Sequence, residues 1–386
     1  MVKVIALYDK MLSAARGYIE DEELAGLLFD YESFLQEHKQ YNLAESILNE
    51  TIGICRRLSE KYPERAKFVA VALNDLALLH TETNHLELAD REYESALEIY
   101  YKCNERGTNI INDDIADTLG NQGMLYFKQF RFEEAERKYE ESLKNRCEPD
   151  GQGDEFIVNK AITLMNLGLC HLYMGKYDEA KNETEEALRY FRGQCETDKK
   201  MHLPYVAMSL VNLALIHIAT KRYEEAENEC EEALRIYGDL CEHDPDAFLS
   251  GVAQTLRVRA ALYFVTNKFN QGEEGIKQVL KIYRNLSEQN PDAYMPCIMD
   301  ALYYLACCQF KQDKIDDAIC TIDKLITMDA NRANWYDSRG EFLLAAGRTD
   351  EALAMWLKTI EIDPDFLEHC QSSVLYDKLK ELGLVE

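Results

Sequence analysis

The chain has 386 residues, enough for two or three ordinary domains or one long array of repeats, with 43 Lys and Arg against 70 Asp and Glu. A net charge of −27 repels nucleic-acid phosphates and anionic membrane surfaces, which sets both aside and makes a basic protein segment the more natural partner. The first twenty residues place Lys3, Asp9, Lys10 and Arg16 among the apolar positions, leaving no uncharged core for a secretion signal. No other apolar run is expected to span a membrane, so the 12 cysteines read as reduced thiols of a cytoplasmic protein.

Ile5 to Ile19 reads as an opening helix, with residues 1–19 as an end cap. Beyond it the chain copies itself: RFEEAERKYEESL from Arg131, KYDEAKNETEEALRYF from Lys176 and RYEEAENECEEALRIY from Arg222 are versions of one helix. The bulky residue that opens this helix stands at Tyr41, Leu86, Phe132, Tyr177, Tyr223, Phe269 and Ile315, with Thr349 in a weaker copy; the spacing is 45 or 46 residues and finally 34. Three places after these anchors come Ala44, Ala89, Ala135, Ala180, Ala226, Gly272, Ala318 and Ala352. Nine places before them, on a preceding helix, come Glu32, Ala77, Gly123, Gly168, Ala214, Ala260, Ala306 and Gly340. Small residues on both sides let two helices cross closely, and Glu32, the exception, marks a distorted first repeat.

The register predicts eight helix pairs, over 21–60, 64–104, 113–147, 155–194, 202–242, 246–289, 293–329 and 332–364, followed by a capping helix over 366–386. That last helix would turn Phe366, Leu367, Leu375, Leu379 and Leu382 to one side. In the copied helix Tyr223, Ala226, Cys230, Ala233, Leu234 and Tyr237 share a stripe of 3.6-residue period, which leaves Glu224, Glu225, Glu229, Glu231 and Glu232 as a solvated outer face. All seven prolines, Pro204 and Pro296 among them, fall at joints between pairs in this register, as an imide that breaks helices should.

These residues resemble the tetratricopeptide repeat family. The last repeat has the family's 34-residue form, with Tyr336, Gly340, Ala352, Trp356 and Pro364 in place and Arg339 and Leu343 departing from it; the fourth carries Leu164, Leu167, Gly168, His171 and Ala180. The longer repeats resemble the kinesin light chain-like subclass and bacterial tandem arrays with joints such as Asn290-Pro291-Asp292-Ala293. Their length also falls in the HEAT and armadillo range, and the paired small residues, the short last repeat and the expected absence of a proline inside the first helix of each pair favour the tetratricopeptide reading. The resemblance covers about residues 21–364. It implies an all-α fold, an α-solenoid whose antiparallel helix pairs, with helices of roughly 18 to 20 residues, wind into a right-handed superhelix held by nearest-neighbour stacking.

In that family the column eleven places before the anchor lines the concave surface. Here it holds Asp30, Asp75, Asn121, Asn166, Asn212, Val258, Tyr304 and Ser338. An asparagine offers one acceptor and two donors, so it satisfies a peptide unit without reading its side chain. The expected peptide-binding set is Asn74, Asp75, Asn121, Asn166, Asn212, Arg257, Tyr303 and Tyr304; the alternative is that the asparagines bond to neighbouring helices or water. A cluster of cations for a carboxylate-rich tail is not expected, because Arg257 and Arg259 arrive only in the sixth repeat and Lys128 stands alone. Phe264, Tyr303, Tyr304 and Phe310 form either an aromatic patch beside Arg257 or packing between repeats.

His80, His171 and His217 recur six places before their anchors, where Tyr126 and Tyr263 stand in other repeats, so the position calls for a ring with a polar tip between helices rather than a metal ligand. No nucleophile elbow, P-loop or dinucleotide fingerprint is present, and neither a catalytic residue nor a cofactor is expected. The resemblance therefore implies a non-enzymatic scaffold or adaptor that binds a protein or extended peptide. Self-association into a homo-oligomer and a peptide-sensing regulator of the bacterial kind are the alternatives.

Overall fold

A computed structural model of the chain describes residues 2–105, 112–146, 154–195, 198–288, 291–366 and 380. It forms two compact units, Met1–Gly193 and Gln194–Glu386. The amino-terminal unit holds α1 (Val2–Ala15), α2 (Asp21–Glu37), α3 (Tyr41–Lys61), α4 (Ala66–Glu82), α5 (Leu86–Asn104), α6 (Asn112–Lys128), α7 (Phe132–Asn145), α8 (Asp154–Tyr173) and α9 (Tyr177–Gln194). The carboxy-terminal unit holds α10 (Lys199–Ala219), α11 (Tyr223–Cys241), α12 (Pro245–Val265), α13 (Phe269–Ser287), α14 (Pro291–Lys311), α15 (Ile315–Met328), α16 (Ala333–Ala345) and α17 (Thr349–Ile362). Among the described residues no strand occurs, and each unit is an α-solenoid in which consecutive helices pack as antiparallel pairs.

All eight anchors open a helix, and one turn design leads into each. Two places before the anchor the backbone is left-handed, at Lys39, Asn84, Phe130, Gly175, Lys221, Asn267, Asp313 and Gly347. The next N–H then reaches back to the carbonyl six places before the anchor, as in His85 to His80 at 2.8 Å and Arg222 to His217 at 2.7 Å. That closes the preceding helix with a Schellman cap and reverses the chain in a fixed geometry.

The close crossings follow the small residues. A Cβ on Gly168 would stand 2.5 Å from Thr184 Oγ1 and 2.9 Å from the carbonyl of Ala180; one on Gly340 would overlap the Trp356 indole. Glu32, where the rule fails, is a carboxylate buried to 3% exposure and bonded to Gln36. Apolar side chains from successive repeats merge, so that Leu28, Leu48, Leu73, Tyr100 and Leu119 share one core and Ile276, Leu302, Ile322, Trp335 and Trp356 another. Leu12 ties α1 into the first core. The capping helix expected over 366–386 lies outside the described residues apart from Phe366, which is buried in the second core, and Lys380.

Four expectations need correction. Pro204 and Pro296 lie within α10 and α14, not at joints. Each is the sixth residue of its helix, because the extra residues of the long repeat form the first turn. A residue there would donate its N–H to the carbonyl four places earlier, so each proline forgoes one hydrogen bond in the second turn, close to the helix start. Helix lengths also vary more than expected: α7, α15 and α17 have 14 residues, whereas α3, α10, α12 and α14 have 21. One apolar run is of membrane-spanning length after all, Lys200–Ala219 with a mean hydropathy of 1.5. Its apolarity serves the interior, since 61% of the stretch is buried and α10 packs on α11 and α12.

The fourth correction concerns the acidic face. Glu229 points inward to His217 Nδ1 at 2.9 Å, with a side chain 15% exposed. Glu92 meets His80 and Glu183 meets His171 in the same way, at 2.7 and 2.8 Å. The other ring nitrogen of His171 meets Glu136 of the preceding repeat at 2.8 Å, where Lys176 also binds. At His171 the ring is thus the middle member of a polar staple between neighbouring repeats, whereas at His217 the bond to Glu229 stays within one repeat.

Candidate functional site

The first helices α4, α6 and α8 lie side by side in the amino-terminal unit. Asn74, Asn121 and Asn166, one from each, line a single cavity of about 330 Å³. Asn121 Nδ2 donates to Asn74 Oδ1 at 3.3 Å, and Asn74 Nδ2 donates to Asp75 Oδ1 at 3.4 Å. The asparagines are therefore partly bonded to one another, as the alternative held, but each remains half-buried at the wall of an open space. No side-chain hydrogen bond of Asn166 occurs among the described residues, so its amide faces the cavity with its full donor and acceptor capacity.

The rest of the lining was not foreseen. Asn159, Ile162 and Thr163 reach in from α8, Asp117, Gly120 and Met124 from α6, and Arg146 from the end of α7. Arg146 is placed by two local events. Ser142 Oγ donates to the Ala116 carbonyl at 2.6 Å and pins the end of α7 on α6. The backbone then leaves the helix with extended angles at Arg146, whose Nη2 meets Asp117 Oδ1 at 2.6 Å. The sequence did hold a signal for it. Fourteen places after the anchor stand Cys55, Tyr100, Phe191, Tyr237 and Tyr283, all buried, and also Arg146, Asp329 and Asp363, which follow the three 14-residue second helices; Arg146 is the one cation of that column.

Asp75 stands beside Asn74 but does not line the cavity. Burial pushes its carboxyl up to about 6, against the hydrogen bond from Asn74. Its charge adds to burial in pushing Glu32, on α2, up to about 7.

The other expected site residues lie in the carboxy-terminal unit and are engaged in packing. Asn212 is 7% exposed. Burial pushes the Tyr283 hydroxyl up to about 12, against the nearby charge of Arg257. Tyr303 shares a 3.2 Å hydrogen bond with Ser338, and Tyr304 packs half-buried against the core. Phe310 stacks on Phe342 at 4.5 Å and Phe264 meets Phe269 edge-on at 5.5 Å, so these rings join their own neighbours instead of forming one patch.

Residues 114–193, 206–246 and 300–329 each match a family model described as tetratricopeptide repeat. The sequence matches none of the curated proteins. Among solved structures, a Rap protein complexed with Competence and Sporulation Factor is 13% identical with a TM-score of 0.54, over 90% of this chain and 99% of that one. The apo form of RapI gives 14% and 0.53 over 89% and 99%, and aspartyl phosphate phosphatase F from Bacillus subtilis 14% and 0.52 over 93% and 88%. At such identities the similarity is one of fold alone. With three matched stretches and the same helix-pair design from α2 to α17, the chain belongs to the tetratricopeptide repeat proteins.

Proposed function

We propose that the protein is a non-enzymatic scaffold that holds an extended peptide segment of a partner protein against α4, α6 and α8. One observation carries this reading: carboxamides from three successive first helices converge on one cavity, a pattern suited to main-chain groups that recur along a peptide. A Rap protein of similar fold has been solved with Competence and Sporulation Factor bound, which supports peptide capture as a use of such helix pairs. The net charge of −27 favours a partner that is basic overall, and a cytoplasmic setting and the kinesin light chain-like subclass belong to the same proposal. The test is a synthetic bead library of random peptides stained with the labelled full chain. Wild type should retain a sequence-related set that the Asn121→Ala/Asn166→Ala double variant fails to retain. An unchanged set with a folded variant would remove the site.

The homo-oligomer reading has one observation of its own. Phe130 and Tyr173 are 78% and 56% exposed, and Phe132 stacks on Tyr173 at 5.5 Å, so an apolar ring cluster faces solvent at one end of α6 and α8. Sedimentation at micromolar concentration decides it: a monomer leaves the scaffold, and a dimer lost in Phe130→Ser supports self-association.

A further inference from the structure

The cavity along α4, α6 and α8 contains one ionic group that its surroundings leave incomplete. A guanidinium carries five N–H donors. That of Arg146 is on a side chain only 3% exposed, yet among the described residues its one bonded acceptor is Asp117 Oδ1 on Nη2, and Nε and Nη1 are buried without a hydrogen-bond partner there. The Asp117 side chain is 45% exposed, so water screens the anion while protein alone surrounds the cation. Among the described lining residues Arg146 is the one cation and Asp117 the one anion, and the others are neutral.

We propose that this part of the cavity is a carboxylate pocket. A single carboxylate of a bound peptide, from an Asp or Glu side chain or a free carboxy terminus, docks on Arg146, while Asn121 and Asn166 take the adjoining peptide units. The inference rests on the peptide-scaffold reading and adds the chemistry of the anchoring group. A carboxylate suits the site better than a main-chain carbonyl because it offers two charged oxygens to a planar fork and compensates a shielded charge. The number of acids is limited to one, since the net charge of −27 repels a run of them. Arg146 enters from the end of a second helix, which is why cations sought on first helices did not reveal it. Asp117 holds the guanidinium in place when the pocket is empty and competes for it when a ligand arrives.

Three bead libraries test this, each with random neutral and basic flanks and one fixed difference: a central Glu with an amidated terminus, a central Gln with a free-acid terminus, or a central Gln with an amidated terminus. Stained with the full chain, at least one carboxylate library should retain about tenfold more beads than the third, as a charge-assisted contact worth a decade in affinity requires. Whichever carboxylate library leads identifies the source as side chain or terminus. The excess should vanish in Arg146→Gln and grow in Asp117→Asn, which removes the competitor and serves if the first variant fails to fold. Equal retention from all three libraries by wild type overturns the carboxylate pocket and leaves the scaffold reading standing. No retention from any library, with the thermal unfolding transition intact, overturns both. A carboxylate excess that survives in folded Arg146→Gln, or does not grow in Asp117→Asn, places the carboxylate elsewhere and overturns the pocket.

Discussion

The two compact units carry the same columns to opposite ends. In the amino-terminal unit the column eleven places before the anchor ends in half-buried amides around a cavity, and the column fourteen places after it is interrupted by Arg146. In the carboxy-terminal unit the first column is Asn212 at 7% exposure, Val258 at 1%, a packed Tyr304, and Ser338 bonded by Tyr303. The second column there holds the buried rings of Tyr237 and Tyr283, then Asp329 and Asp363, and no cation. Repetition thus fixes where backbones go, and one exchanged side chain per column decides whether a surface closes or stays open.

If the backbone frame is common to both units, the close crossings should be equally intolerant in each. Gly168→Ala and Gly340→Ala are each expected to cost up to about 3 kcal/mol by overpacking, seen as a lowered thermal midpoint. A neutral result at one position would show that the crossings are not equivalent.

Two buried carboxylates, one in each unit, should respond to pH in opposite directions. Burial pushes Glu32 up to about 7, with the charge of Asp75 adding to it, so the native state binds the proton more tightly than the unfolded chain. Stability from this group is greatest below the ordinary carboxylate range and falls as pH rises through 7. Glu32→Gln should therefore stabilise on the order of 2 kcal/mol at pH 8 and hardly at all at pH 4. Burial opposes ionisation of Glu273 as well, but hydrogen bonds from Lys277, Lys314 and Gln312 outweigh it and hold the carboxyl at about 2. Its contribution is present at neutral pH and is lost as pH falls from the ordinary carboxylate range toward 2. Glu273→Gln should destabilise by about 2 kcal/mol at pH 7, with the difference shrinking in acid; chemical denaturation across pH reads both variants.

Making the amino-terminal column resemble its counterpart sharpens the comparison further. Arg146→Tyr restores the ring and should lower retention of peptides by about tenfold, roughly 1.4 kcal/mol, while thermal stability is kept. The smallest effect is expected at the turns: Lys221 has a left-handed φ of 62°, and Lys221→Gly should stabilise by about 0.5 to 1 kcal/mol in denaturant titration.

The features legible in the sequence were those that depend on residue size. Anchors, paired small residues and the ring column six places before the anchor all led to the observed helix pairs, because a crossing helix tolerates few substitutes at those places. The turn two places before the anchor was invisible for the opposite reason: Lys, Asn, Phe, Gly and Asp all occupy it, and its left-handed backbone is imposed by the Schellman cap around it. Glu229 looked like its solvated neighbours because an acid bound to a buried imidazole differs from them only in facing a partner twelve places earlier in the chain. Asn121 and Asn166 stand out in the sequence as members of one column, with Asn74 beside it, whereas Arg146 does not, because it follows a second helix and not a first one. The division into two compact units left no mark in the register, which runs through residue 193 without a break.

The most direct measurement is methyl NMR of the full chain titrated with a peptide recovered from the bead library. Met124 and Ile162 line the cavity, and Ile298 and Met299 lie in or against the core of the carboxy-terminal unit. The account predicts that the Met124 and Ile162 methyls shift on binding while those of Ile298 and Met299 stay. Shifts confined to the carboxy-terminal pair would contradict it.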